Sequence, residues 1–227
     1  METTPKIEAV IKKIDHTLLK PDATEEQVKA IVNEAIKHHF FSVCIQPCYV
    51  KLCADMTANT DVSVCTVIGF PLGANHTLSK VFETKQAISD GADEIDMVIN
   101  ISALKSKNDQ LVRDDIKAVV EAADGKVVKV IIETSLLNEE EKIKACKLAT
   151  EAKAHFVKTS TGFNGGGATL EDVKLMRENI SADMKVKASG GIRDLDMAKK
   201  MIAAGADRLG TSAGVQIANY LSSSEYY

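Results

Sequence analysis

Two lysines stand where a chain normally avoids them. Lys158 closes the apolar run His155-Phe156-Val157 and leads into Thr159-Ser160-Thr161-Gly162-Phe163, while Lys187 lies between Val186 and Ala188. Burying an ammonium costs several kcal/mol unless it is paired or uncharged. That cost makes sense at a site that needs an unprotonated amine, because a neutral lysine is a nucleophile toward a carbonyl. A second cation on a neighbouring strand, ~4.8 Å away, disfavours protonation of the first. Asp96 in Glu94-Ile95-Asp96-Met97-Val98 can keep the other lysine charged and take part in proton transfer. The plainer readings are a snorkelling strand-end lysine for Lys158 and an ordinary inward salt bridge for Lys187 and Asp96; spacing alone favours neither side.

These residues need a frame that brings distant strands together. The sequence predicts a short helix over Pro5–Lys13, then strand-like runs at Ile14–Leu19, Phe41–Ile45, Val62–Ile68, Glu94–Asn100, Val127–Glu133, His155–Thr159, Lys185–Ser189 and Asp207–Gly210. Amphipathic or connecting segments separate them, with N-cap signals at Thr24, Asn138 and Asp194, a helix beginning at Thr169 and a last helix over Ser212–Leu221. Eight β-then-α units without a composition break fit an α/β protein with one (β/α)8 barrel over residues 1–227, its N-terminal helix covering the bottom. An open doubly wound sheet is the alternative, but no Gly-x-Gly-x-x-Gly follows the first strand. In a barrel, active sites gather at the C-terminal ends of the strands. The polar residues expected there are Asp15, Thr17, Asp96, Asn100, Lys129, Glu133, Lys158, Ser160, Lys185, Lys187 and Ser189.

Glycine clusters suggest an anion site. Gly162 and Gly165–Gly167 follow strand six, Gly190-Gly191 strand seven, and Gly210-Thr211-Ser212 strand eight. Backbone N–H groups in such loops cradle phosphate, with Arg193 and Arg208 as added charge. Tight turns need glycine too, so each cluster alone is a weak signal.

Composition narrows the rest. A net charge of −4, 4% aromatic residues and no tryptophan leave nucleic-acid binding without a basic footprint or a stacking platform. No apolar run reaches membrane-spanning length and no secretory leader is seen, so no membrane partner and a cytoplasmic location are expected. Five unpatterned cysteines read as reduced thiols. The five histidines are scattered, and Cys44 and Cys48 have no second pair, so neither a metal nor any other cofactor is expected.

With these pieces assembled, the chain resembles the deoxyribose-phosphate aldolases. The likeness runs through IDHTLL (14–19), GFPLG (69–73), GADEIDMVIN (91–100), KVIIET (129–134), FVKTSTGF (156–163), VKASGGIR (186–193) and RLGTSAG (208–214). The resemblance implies a metal-independent class I aldolase that converts 2-deoxy-D-ribose 5-phosphate reversibly to glyceraldehyde 3-phosphate and acetaldehyde. By the same resemblance Lys158 is the Schiff-base lysine, Lys187 its perturbing partner and Asp96 the proton relay. Phosphate falls to Gly162, Gly190, Gly191, Gly210 and Ser212 with Arg193 close by, and Asp15, Thr161 and Lys129 line the pocket. Some relatives fold a C-terminal tyrosine over the site. Tyr227 is the better match here, with Tyr226 beside it; a disordered end is the plainer reading. Phe163 departs from relatives that carry a phosphate-reaching lysine there. Homodimers occur among the relatives, and no stripe here marks an interface.

Overall fold

The computed structural model describes residues 7–224. Eight parallel strands pair in sequence order and close on themselves: β1 (Ile14–Leu18), β2 (Ser42–Ile45), β3 (Ser63–Ile68), β4 (Glu94–Val98), β5 (Val127–Ile131), β6 (Phe156–Lys158), β7 (Lys185–Ser189) and β8 (Arg208–Thr211). The helices are α1 (Ile7–Ile11), α2 (Glu25–His38), α3 (Val50–Thr57), α4 (Thr77–Ser89), α5 (Ile101–Lys105), α6 (Asp109–Ala122), α7 (Glu139–Glu151), α8 (Leu170–Glu178), α9 (Leu195–Ala203) and α10 (Gly214–Ser224). This is a (β/α)8 barrel, and α1 packs on α9 and α10.

Strand alternation divides the molecule chemically. Outward residues such as Val43, Val64, Ile95, Met97, Val128, Val130, Val157 and Val186 form one large core with the buried faces of the helices. Burying such a side chain contributes about 1.5–3 kcal/mol. The inward positions are free to be polar, and they carry the charged residues described below. A smaller apolar cluster, Leu19, Cys44, Cys65 and Val67 with Phe70 against it, forms separately.

Local chemistry explains most boundaries. Thr24 and Gln27 form a reciprocal capping box on α2, and Asn138 and Glu141 form one on α7. Thr169 and Asp194 cap α8 and α9. Several strands end earlier than their apolar runs. Asn100 has left β4 to cap α5 through Ala103 N–H, and Glu133 has turned to φ 56°. The last helix starts at Gly214, not Ser212, because Thr211 Oγ1 accepts the Ala213 N–H and holds a turn. After β2, Pro47–Tyr49 is a 3-10 turn leading into α3, where the sequence suggested only a connection.

A buried cation ties α4 to β4 and α6. Lys80 on α4 donates to the Val98 carbonyl at 2.9 Å and pairs with Asp115 of α6 at 2.6 Å. Burial pulls the Lys80 amine down and Asp115 pulls it back. Gly69 leaves room for this side chain, since a Cβ there would lie 2.8 Å from Lys80 Cε. Losing one member of a buried pair strands the other charge. Lys80→Met is therefore expected to cost about 3–5 kcal/mol in urea unfolding, and Lys80→Met with Asp115→Leu distinctly less. A double variant no more stable than the single would contradict this.

Candidate active site

Asp96 of β4, wholly buried, is the centre of the barrel interior. Its Oδ2 accepts from Lys158 Nζ at 2.8 Å and from Lys187 Nζ at 2.7 Å; its Oδ1 accepts from Lys129 Nζ at 2.8 Å. Parallel pairing produces this meeting. Lys158 of β6 lies directly opposite Lys187 of β7, and Asp96 directly opposite Lys129. Asp15 of β1 pairs with Lys187 at 2.6 Å, accepts from Ser42 Oγ at 2.7 Å, and is held by Arg208 of β8. Glu94 takes Arg208 at 2.9 Å and Lys129 at 2.7 Å.

The electrostatics follow from these contacts. Burial opposes ionisation of Asp96, but Lys129, Lys158 and Lys187 outweigh it and hold its carboxyl well below the ordinary range. Burial opposes ionisation of Asp15 too, and Lys187 and Arg208 outweigh it in the same way. Burial likewise opposes the charge on Lys187, yet Asp15 and Asp96 raise it well above the usual lysine value. Lys129 is raised against burial chiefly by Asp96. Cys44 and Cys65 face each other across β2 and β3. Cys44 is lowered to about 7 by its hydrogen bond with Cys65, and burial pushes Cys65 well up. Their sulfurs and an Asp96 oxygen lie close enough for a metal ion to bridge. The three amines already on Asp96 would repel a cation there.

Above this layer lies a cleft of about 440 Å³. One wall is the glycine-rich rim: Gly162, Gly190, Gly191, Gly210 and Ser212, with Thr161 and Arg193. Gly210 lines the cleft and packs on the charged layer: a Cβ there would lie 3.1 Å from Lys187 Cε and 2.8 Å from Ser189 Cβ. Gly162 (φ 86°) and Gly191 (φ 80°) face open space. Glu133 holds the loop after β6. It accepts from the Thr161 hydroxyl and amide, and from Asn164 Nδ2 at 2.8 Å.

The structure thus brings Asp15, Asp96, Lys129, Lys158 and Lys187 together in the barrel, and Thr161, Gly162, Gly190, Gly191, Arg193, Gly210 and Ser212 around one cleft. Three expectations need correction. Arg208 does not reach the phosphate-type rim; it is buried among Asp15 and Glu94 with its guanidinium over the Phe41 ring. Lys185, at the opposite end of β7, is exposed and lies over Phe156. Asn100 is a helix cap. Tyr226 and Tyr227 lie outside the described residues. Lys20, read in the sequence only as a strand stop, lines the cleft and adds a cation to Arg193. Phe163 stands at the rim, 45% exposed and edge-on to Phe70 at 5.2 Å. Glu94 escapes a sequence reading although its place two residues before Asp96 puts it on the same strand face. Among the described residues no helix is long and apolar enough to cross a membrane.

The barrel interior gathers amines around a buried carboxylate, a constellation suited to chemistry on a carbonyl group. The chain belongs to the DeoC/LacD family of aldolases, whose model matches residues 9–219. It is 63% identical over 204 residues to the deoxyribose-phosphate aldolase of Bdellovibrio bacteriovorus, covering 90% of this chain and 93% of that one. A crystal structure of a putative deoxyribose-phosphate aldolase from Coccidioides immitis superposes with a TM-score of 0.94 at 43% identity, covering 97% and 88% of the two chains. The tetrameric deoxyribose phosphate aldolase of Aeropyrum pernix gives 0.89 at 34% identity, covering 96% and 93%.

The paired charges predict an acid limb of stability. Asp15 and Asp96 have folded values below their ordinary 3.8. Their contribution is complete above about pH 5 and is lost as pH falls through 3.8 toward the folded values. Lys129 and Lys187, raised above 10.5, keep theirs until pH rises past that value. His16, lowered from 6.5 by burial, adds a shallow loss below 6.5. Urea midpoints should therefore fall steeply between about pH 5 and 3; equal midpoints at the two ends would contradict the assignment.

Proposed function

We propose that this chain is a deoxyribose-phosphate aldolase that cleaves 2-deoxy-D-ribose 5-phosphate through a Schiff base on Lys158. The observation that carries the reading is the sharing of Asp96 Oδ2 by Lys158 and Lys187 in the buried layer below the cleft. The substrate's phosphate lies on the rim of Gly162, Gly190, Gly191, Gly210 and Ser212, with Lys20 and Arg193 supplying charge. Its aldehyde end points down toward Lys158. Phe163 adds no charge, so the phosphate depends more on main-chain donors.

Uncharged Lys158 adds to C1 of the open-chain aldehyde, and loss of water leaves an iminium. The C3 hydroxyl gives its proton to a water hydrogen-bonded to Asp96. The C2–C3 bond then breaks, and its electron pair flows into the iminium to give a two-carbon enamine, while C3 becomes the new aldehyde carbon. Glyceraldehyde 3-phosphate departs. Asp96, held ionised by three amines, is a weak base; it orients the water and passes the proton on without keeping it. Lys187, held charged, supplies the positive end of the relay. The enamine is protonated at carbon, with Tyr227 the candidate donor, and hydrolysis releases acetaldehyde and regenerates Lys158. The iminium is the electron sink, a role that a Lewis acid fills in metal-dependent aldolases.

Borohydride reduction in the presence of deoxyribose 5-phosphate should place a stable adduct on Lys158, found by peptide mapping. Lys158→Ala should abolish both trapping and acetaldehyde release. An adduct on Lys187 would reverse the two roles. Asp96→Asn should lower kcat by about a hundredfold or more with a much smaller change in KM.

A further inference from the structure

The ion pairs in the barrel close into a circuit. Starting from Lys187, the contacts run to Asp15 at 2.6 Å, from Asp15 to Arg208, from Arg208 to Glu94 at 2.9 Å, from Glu94 to Lys129 at 2.7 Å, from Lys129 to Asp96 at 2.8 Å, and from Asp96 back to Lys187 at 2.7 Å. Signs alternate at every step, and each member touches two opposite charges. The six together are neutral. Lys158 hangs from this circuit by a single contact, to Asp96 at 2.8 Å. With all groups ionised the layer holds four cations and three anions, so a protonated Lys158 is the one surplus charge. All seven residues are at most 5% exposed, and an unbalanced charge is costly in such a place.

We propose that this closed circuit sets the pH at which Lys158 becomes nucleophilic, and that Arg208 and Glu94 are positioning residues of the reaction. They act through Asp15, Lys187, Lys129 and Asp96. The inference rests on Lys158 being the Schiff-base residue. Arg208 is locked in place from three sides. Its Nε and Nη2 both meet Asp15, its Nη1 and Nη2 both meet Glu94, and its guanidinium lies on the Phe41 ring. Removing the charge of Arg208 leaves an uncompensated anion below Lys158 and favours its protonated form. Removing the charge of Glu94 does the reverse. The other titratable groups of this layer are Cys44 on β2 and Cys65 on β3. Cys44, lowered to about 7, titrates in the working range, so the comparison is made in a Cys44→Ala background.

The experiment is the pH dependence of kcat/KM, paired with borohydride trapping, for the parent, Arg208→Gln, Glu94→Gln, the double variant and Arg208→Lys. A unit charge about 10 Å away at an effective dielectric near 20 moves a titration by roughly one pH unit. The acid midpoint should rise by about that much in Arg208→Gln and fall by about as much in Glu94→Gln. It should return to the parent value in the double variant and in Arg208→Lys. A purely structural role would lower activity without moving the midpoints in opposite directions. Equal midpoints in all variants, with the adduct still on Lys158, overturn the circuit and leave the Schiff-base reading standing. An adduct elsewhere in the parent overturns that reading itself. Should the single variants not fold, the ¹⁵N spectrum of lysine side chains in the unmodified protein decides. A neutral Lys158 beside charged Lys129 and Lys187 at pH 7 supports the circuit, and a charged Lys158 at that pH overturns it.

Discussion

A carboxylate in a dry barrel can hold three amines only if the amines bring enough charge to keep it ionised and each has somewhere to put its remaining donors. Asp96 meets both conditions. Lys129 and Lys187 are each shared with a second acid, and Lys158 is left with one anchor. Isolated charges in a medium of low dielectric would neutralise themselves by gaining or losing protons. Linked in alternation, they stay ionised and rigid, because moving any one of them breaks two contacts. The rigidity matters for catalysis, since a preorganised charge needs no reorientation when the reaction begins.

The division of labour between the two faces of each strand makes this interior possible. The outward face packs a continuous aliphatic core against the helices, so stability does not depend on the barrel lumen being apolar. The lumen can then be given over to ions, and the loops at the upper rim to glycine. Glu133 and Lys80 show how the two levels are tied together. Glu133 grips the loop after β6 from its left-handed position, and Lys80 reaches from α4 to the carbonyl of Val98, two residues past Asp96. Through Glu133 the loop beside the cleft is referred back to the end of β5, and through Lys80 the helix layer is referred back to β4.

Most of the frame is legible in the sequence. Cap residues such as Thr24, Asn138, Thr169 and Asp194 mark helix starts because their hydrogen bonds are local, within three residues. Strands read from apolar content come out too long, because that content continues into loops that turn back over the core, as at Ile99 and Ile132, both wholly buried. The site is legible where alternation and residue type agree, as at Asp96, Lys158 and Lys187. It is misread at Arg208, where a cation beside a glycine loop looks like a phosphate ligand from its neighbours in sequence. Its real partners, Asp15 and Glu94, lie 193 and 114 positions away, and no local pattern carries that information. Lys20 is overlooked for the converse reason: a lysine before a proline reads as punctuation, and only the folded loop turns it toward the cleft.

The charges of the buried layer are also sorted along the chain. Asp15, Glu94 and Asp96 come from the first four strands; Lys129, Lys158, Lys187 and Arg208 come from the last four. During synthesis, then, the first half leaves the ribosome carrying three acids destined for burial and none of their counterions. A half-barrel closed prematurely would bury those acids without counterions, which penalises early collapse. The sheet closes at little electrostatic cost only once the basic half arrives, so neither half gains by folding ahead of the other.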